Sequence, residues 1–120
     1  MPAPAEIVGK YFDLFATQRY AESRALLADR FSFHGPIDTF DNPDDFINAV
    51  SKLAPLAKGI HKRKVFVDGP DVCIIYDFET GPPVGKTVRI AEWLHVEGEK
   101  ISAIEIMFDP RPFTALFEHG

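Results

Sequence analysis

Cysteine is almost missing from this sequence: Cys73 is its one example among 120 residues, so no disulfide can close within the chain. The setting Val72-Cys73-Ile74-Ile75 reads as buried strand rather than as an exposed reactive thiol, and a reducing, cytoplasmic compartment is the expected location. Positive charge is also in short supply. Thirteen Lys and Arg face eighteen Asp and Glu, a formal charge of −5, which is the wrong sign for a surface that must attract phosphates, so neither nucleic acid nor an anionic membrane is an expected partner. No apolar run approaches the roughly 18 residues of a membrane span. Met1-Pro2-Ala3-Pro4-Ala5-Glu6 has neither a basic start nor an apolar stretch, so neither secretion nor membrane anchoring is expected. The four His are scattered, and no His-x-x-His, Cys-x-x-Cys, Gly-rich phosphate loop or Gly-x-Ser-x-Gly elbow occurs. The expectation is therefore no metal and no cofactor.

What is present is apolar and aromatic. Hydrophobic residues make up 46% of the chain and aromatics 12%, eleven of them Phe, enough for a real core in one domain spanning residues 1–120. Ile7, Val8, Tyr11, Phe12, Leu14 and Phe15 recur at helical spacing after Pro4, and Tyr20, Arg24, Leu26 and Leu27 continue into a second helix ending near Ala28. Phe31-Ser32-Phe33 alternates like a strand, which Gly35-Pro36 breaks. Asn42-Pro43-Asp44-Asp45 places a capping side chain, Pro at the first helical position and carboxylates at the positive end of a helix dipole, so a third helix follows. Its apolar face is Phe46, Ile47, Val50 and Leu53.

From Ile60 the period falls to two, with strands expected near 60–68, 71–80, 84–97 and 100–109 in an antiparallel meander. Pro110 and Pro112 end the last one, and Phe113, Leu116 and Phe117 form a short helical turn docked on the core. Helices followed by a long antiparallel sheet give an α+β fold, a curved antiparallel sheet wrapped around N-terminal helices, with a concave apolar cavity at the open end.

Within that pattern Glu92 stands out. It shares a strand face with Val88, Ile90, Leu94 and Val96, and a buried carboxyl must be paired or protonated. Desolvation raises its pKa and suits it to donate a hydrogen bond or move a proton; the plain alternative is a structural pair with Arg89 or a helix residue. Trp93, Ala91 and His95 take the opposite face, where an exposed Trp points to a dimer surface. Tyr11 is either helix-face core or a ligand-facing hydroxyl, and Tyr20 and Tyr76 are alternatives of the same kind. His61, in the basic run His61-Lys62-Arg63-Lys64, faces solvent. Asp109-Pro110-Arg111 reads as a structural ion pair that fixes the C-terminal turn.

The order of elements, the segment Phe31-Ser32-Phe33-His34-Gly35-Pro36, the strand Val88-Arg89-Ile90-Ala91-Glu92-Trp93 and the closing Ile104-Glu105-Ile106-Met107-Phe108-Asp109-Pro110-Arg111-Pro112-Phe113 together resemble the SnoaL-like branch of the nuclear transport factor 2-like superfamily. The resemblance implies an α+β cone, usually dimeric, with a pocket lined by the inside of the sheet and the first helices. Activities across the superfamily include ketosteroid isomerases, polyketide cyclases, dehydratases and limonene epoxide hydrolase. The hydrolase pattern requires an Arg two residues before its strand carboxylate, a position occupied here by Ile90. In the isomerase pattern an Asp base moves a proton while a Tyr and a protonated carboxyl hold the dienolate oxygen. By that resemblance Tyr11 takes the tyrosine position and Glu92 the protonated carboxyl, while the base position falls on Gly35, which has no side chain.

His34 and Asp38 flank the empty position and could supply the base. His34 enters the pocket only if Phe31 and Phe33 do not, because neighbouring strand residues face opposite ways, unless Gly35-Pro36 re-aims the chain. The expected function is binding of a small hydrophobic molecule by a homodimer. Such a protein would act as a cofactor-independent isomerase, cyclase or dehydratase that transfers protons on a carbonyl compound through Tyr11, Glu92 and His34 or Asp38. The alternative is a non-catalytic binding or dimerisation module of the same fold.

Overall fold

The computed structural model of the protein describes residues 2–116. Helix α1, Pro4–Ala16, buries Ile7, Val8, Tyr11, Phe12 and Leu14 along one face, as its 3.6-residue pattern requires. It ends where the Thr17 hydroxyl donates to the Asp13 carbonyl at 2.8 Å and Gln18 turns the chain at φ 62°. Helix α2, Tyr20–Arg24, is shorter than the sequence pattern suggests. Leu27 already begins strand β1, Leu27–His34, because it pairs with Ile101 and the Ile101 amide donates to the Leu26 carbonyl at 2.9 Å. Sheet pairing here overrides local helical propensity.

After a turn closed by the Gly35 amide on the Asp38 carbonyl at 2.9 Å, a two-residue strand β2, Thr39–Phe40, pairs back on Phe33 and His34. Helix α3, Pro43–Ser51, starts as its signal requires, with the Asn42 side chain accepting from the Asp45 amide at 2.9 Å. Its Phe46 packs on Phe31 and Phe33, ring centroids 5.3 and 4.6 Å apart.

Four long strands complete the chain: β3, Ala57–Asp68; β4, Asp71–Thr80; β5, Thr87–Glu97; and β6, Lys100–Met107. They form the expected antiparallel meander, with Gly69 and Gly98 at φ 58° and 64° in the turns. Strand β5 starts three residues later than expected because Gly81–Gly85 forms its own loop, closed by the Gly85 amide on the Gly81 carbonyl at 2.9 Å. The curved sheet runs β2-β1-β6-β5-β4-β3, and β1 joins β6 in parallel, so it is mixed and unclosed.

A bulge between Lys62 and Lys64 changes the facing of β3 midway. Before it, Lys62 reaches inward over the Phe12 ring at 5.1 Å; after it, Lys64 lies 5.9 Å from the Phe66 ring on the outer face. A 3-10 turn at Arg111–Leu116 buries Phe113 edge-on against Phe108, centroids 5.4 Å apart. Phe117, expected in that turn, lies outside the described residues. The helices and the inner sheet face enclose one core built around Val8, Leu27, Ile74, Leu94, Ile101 and Ile104. Among the described residues no helix is long and apolar enough to cross a membrane.

Candidate functional site

Alternation along β5 is strict: Val88, Ile90, Glu92, Leu94 and Val96 are all buried and the residues between them are not. Glu92 therefore points into the core at 5% exposure. Register supplies its partner. Ile74 of β4 lies opposite Glu92 and Tyr76 opposite Ile90, so Tyr76 is the diagonal neighbour of Glu92, within reach of a long side chain. The Tyr76 hydroxyl donates to Glu92 Oε1 at 3.1 Å.

Burial dominates the electrostatics. Desolvation pushes the Glu92 carboxyl up to about 7, against the opposing pull of the Tyr76 hydrogen bond. Desolvation first, and then the Glu92 charge, hold the Tyr76 and Tyr11 phenols well above their ordinary value. Tyr11 comes from α1, which lies across the same part of the sheet, and it stacks on Phe15 with centroids 6.0 Å apart. Phe12 meets the Tyr76 ring edge-on at 5.0 Å. Two tyrosines and a carboxyl that titrates near neutrality thus sit within an apolar, aromatic surround. Below about pH 7 Glu92 is a neutral acid and a hydrogen-bond donor; above it, a carboxylate.

The other candidates do not join them. Phe31 and Phe33 face inward and are buried, which turns His34 to the exposed side of β1, and Asp38 is exposed in the following turn. The vacancy at Gly35 is not open space. A Cβ there would lie 3.0 Å from Ile106 Cγ1 and 3.3 Å from Phe33 Cε1, so apolar atoms fill the volume a base would need. Arg89 is not the partner of Glu92: it donates to Asp77 at 2.8 Å across the outer face. Tyr20 is half-buried, edge-on to Phe15 at 5.9 Å. His61 is exposed, 3.6 Å from Glu79.

Asp109 and Arg111 form the ion pair read from their spacing, with the guanidinium holding the Asp109 carboxyl down to about 2. Cys73, expected to be buried, is half-buried on the outer face, and its thiol is pushed up by desolvation. Among the described residues no group of three or more His, Cys, Asp or Glu is placed to hold a metal. Two surface depressions, of about 350 and 460 Å³, lie away from Glu92, one on the outer sheet face and one beside Arg24 and Leu27.

Tyr76 is the member of the cluster that sequence reasoning placed only among alternatives. The missing signal was register: pairing of Thr80 with Lys86 around the β4–β5 loop fixes which β4 residue flanks Glu92.

Comparison with known proteins agrees with this architecture. A model of the SnoaL-like domain matches residues 8–104. An NTF2-like protein of unknown function from Cytophaga hutchinsonii superposes with a TM-score of 0.82 at 26% identity, covering 95% of this chain and 96% of that one. A protein from Kribbella flavida provisionally named a ketosteroid isomerase gives 0.78 at 18% identity, covering 88% and 77%. A protein of ketosteroid isomerase-like fold from Catenulispora acidiphila, solved in complex with trimethylamine, gives 0.72 at 17% identity, covering 84% and 83%. No curated protein matches the sequence.

Proposed function

The chain belongs to the SnoaL-like domain family, and from that membership we propose that it binds a small, mostly apolar molecule whose carbonyl oxygen is held by Glu92 and the neighbouring tyrosines. The observation that carries this reading is the buried Glu92 carboxyl, hydrogen-bonded to Tyr76 and titrating at about 7. A neutral carboxylic acid in a low-dielectric site is a strong donor to a carbonyl oxygen, and an ionised one is not a donor at all. Binding is therefore tight below pH 7 and weakens as Glu92 ionises.

Proton transfer in this reading rests on Glu92, which can lend its proton to the bound oxygen and take it back. The exposed positions of His34 and Asp38 and the filled space beside Gly35 favour binding over an isomerase cycle that needs a second, separate base. Since Tyr11, Tyr76 and Glu92 are 1%, 5% and 5% exposed, a ligand enters by displacing the aromatic surround.

Calorimetric titration with aromatic ketones tests the proposal. Wild type binds at pH 6 and loses affinity across neutrality; Glu92→Leu binds at least about tenfold more weakly; Glu92→Gln has a flat pH profile. Equal affinity in wild type and Glu92→Leu would remove Glu92 from the site.

A further inference from the structure

On the inner side of the sheet the edge strand β3 presents a row of four side chains, and one of them is charged. Ile60 lies opposite Phe78, Lys62 opposite Tyr76, Val65 opposite Ile74 and Val67 opposite Val72; residues directly opposite share a face, so all four turn inward with their partners. Helix α1 does not cover the whole row. Val65 and Val67 remain 40% and 56% exposed. Gly9, the neighbour of Phe12 one turn back on α1, is half-buried, yet a Cβ added to it would meet nothing within 4 Å. Room is therefore left beside Phe12 on the helix side, and an apolar strip is left open on the strand side.

Lys62 is the cation at this opening. The rest of the basic run is occupied on the outer face: His61 lies 3.6 Å from Glu79, Arg63 lies 3.7 Å from Asp77, and Lys64 lies against Phe66. Among the described residues no carboxylate comes within 4 Å of Lys62. Its Nζ stands 5.1 Å from the centre of the Phe12 ring instead, and that ring meets Tyr76, the partner of Glu92, edge-on at 5.0 Å. A ring face holds an exposed ammonium only weakly. A ligand that moves Phe12 aside to reach Glu92 thus takes the ring away from the Lys62 amine, and an anion on the ligand would replace it.

We infer that the carbonyl compound bound by Glu92 also carries a carboxylate, which Lys62 holds; this rests on the ligand reading above and narrows its substrate class to apolar oxo acids. A single inward cation matches a single negative charge, a carboxylate rather than a phosphate dianion. Lys62 and Glu92 are two strands across and two residues along from one another, about 12 Å apart at the backbone. Their side chains close that span on a molecule with one aromatic ring between its carbonyl and its carboxylate. Although the chain as a whole carries −5, Lys58, Lys62, Arg63 and Lys64 gather positive charge on this one strand, and such a local field draws an anion to that edge.

Calorimetry at pH 6 with 4-acetylbenzoate and with its uncharged methyl ester tests this, with circular dichroism to confirm the fold of each variant. Wild type binds the acid about tenfold more tightly than the ester, and salt narrows the gap. Lys62→Met, a change at an exposed position, weakens the acid about tenfold and the ester far less; Lys62→Arg keeps the preference and Lys62→Glu reverses it. Glu92→Leu weakens both compounds. Equal affinity of wild type for acid and ester, or a Lys62→Met that affects the two alike, would take Lys62 out of the site and leave Glu92 in it. Binding of both compounds that ignores Glu92→Leu would remove the carbonyl site itself, and the role of Lys62 with it.

Discussion

The Tyr76 hydroxyl lies 3.1 Å from Glu92 Oε1, a diagonal contact between β4 and β5 that gives a buried carboxyl its donor. The bond lowers the carboxyl's pKa while burial raises it, and burial wins, leaving Glu92 at about 7. This pair puts a group that titrates near neutrality inside the core.

Because the folded pKa of Glu92 exceeds its ordinary 4.5, the folded state holds a proton that the unfolded chain releases between those values. The contribution to stability is complete below pH 4.5, declines as pH rises through 7 and is flat above. Its size is about 3 kcal/mol. Urea denaturation of wild type and Glu92→Gln at pH 5 and pH 8 checks this: the stability difference between the two proteins changes by about that amount, with wild type the one that loses with rising pH.

Tyr76→Phe removes a donor and leaves the carboxyl alone in an apolar surround. It costs about 1–3 kcal/mol and moves the Glu92 titration above its wild-type midpoint, because the lost bond was the influence holding it down. Carboxyl-selective NMR titration reads the midpoint, and an unchanged value would show that the hydroxyl does not reach the carboxyl in solution.

Filling the space at Gly35 is unfavourable for a steric reason alone, since its added Cβ would meet Ile106 Cγ1 at 3.0 Å. Gly35→Ala destabilises by about 1–3 kcal/mol. In the background of Ile106→Ala the same change costs much less, so the double-mutant cycle has a coupling of at least about 0.5 kcal/mol. Thermal melts of the four proteins measure it, and additivity would mean that the chain relaxes elsewhere.

Asn42→Ala removes the acceptor for the Asp45 amide at the start of α3. The expected loss is about 1 kcal/mol, seen as a lower melting temperature with the fold intact. Asn42→Ser keeps an acceptor for the Asp45 amide and retains most of the stability.

The parts of this fold that sequence reveals are those governed by short-range rules. Asn42-Pro43-Asp44-Asp45 starts a helix because capping is a matter between neighbours. The alternation from Val88 to Val96 shows that Glu92 is buried for the same reason. Long-range pairing is different. Leu26 and Leu27 continue the helical period of α2, and only Ile101, far along the chain, draws Leu27 into a strand. Parallel pairing of β1 with β6 leaves no mark in either strand, and two-residue β2 is too short for a period to register. Tyr76 becomes the partner of Glu92 through ladder register, which depends on the length of the loop between β4 and β5. For His34 the rule was local: once Phe31 and Phe33 turned inward, its outward facing followed.

The bulge between Lys62 and Lys64 gives β3 one residue more than β4 over the same stretch of ladder. From Gly59 to Lys62 the even-numbered side chains turn toward α1, and from Lys64 to Asp68 they turn away, so the numbering changes phase at Arg63. Arg63 is the extra residue: with it removed, Lys62 opposite Tyr76 and Lys64 opposite Ile75 would follow one another in a regular ladder, every side chain would keep its present face, and the local bend and added twist would be lost. Arg63 therefore serves the curvature of the hairpin arm and not its register.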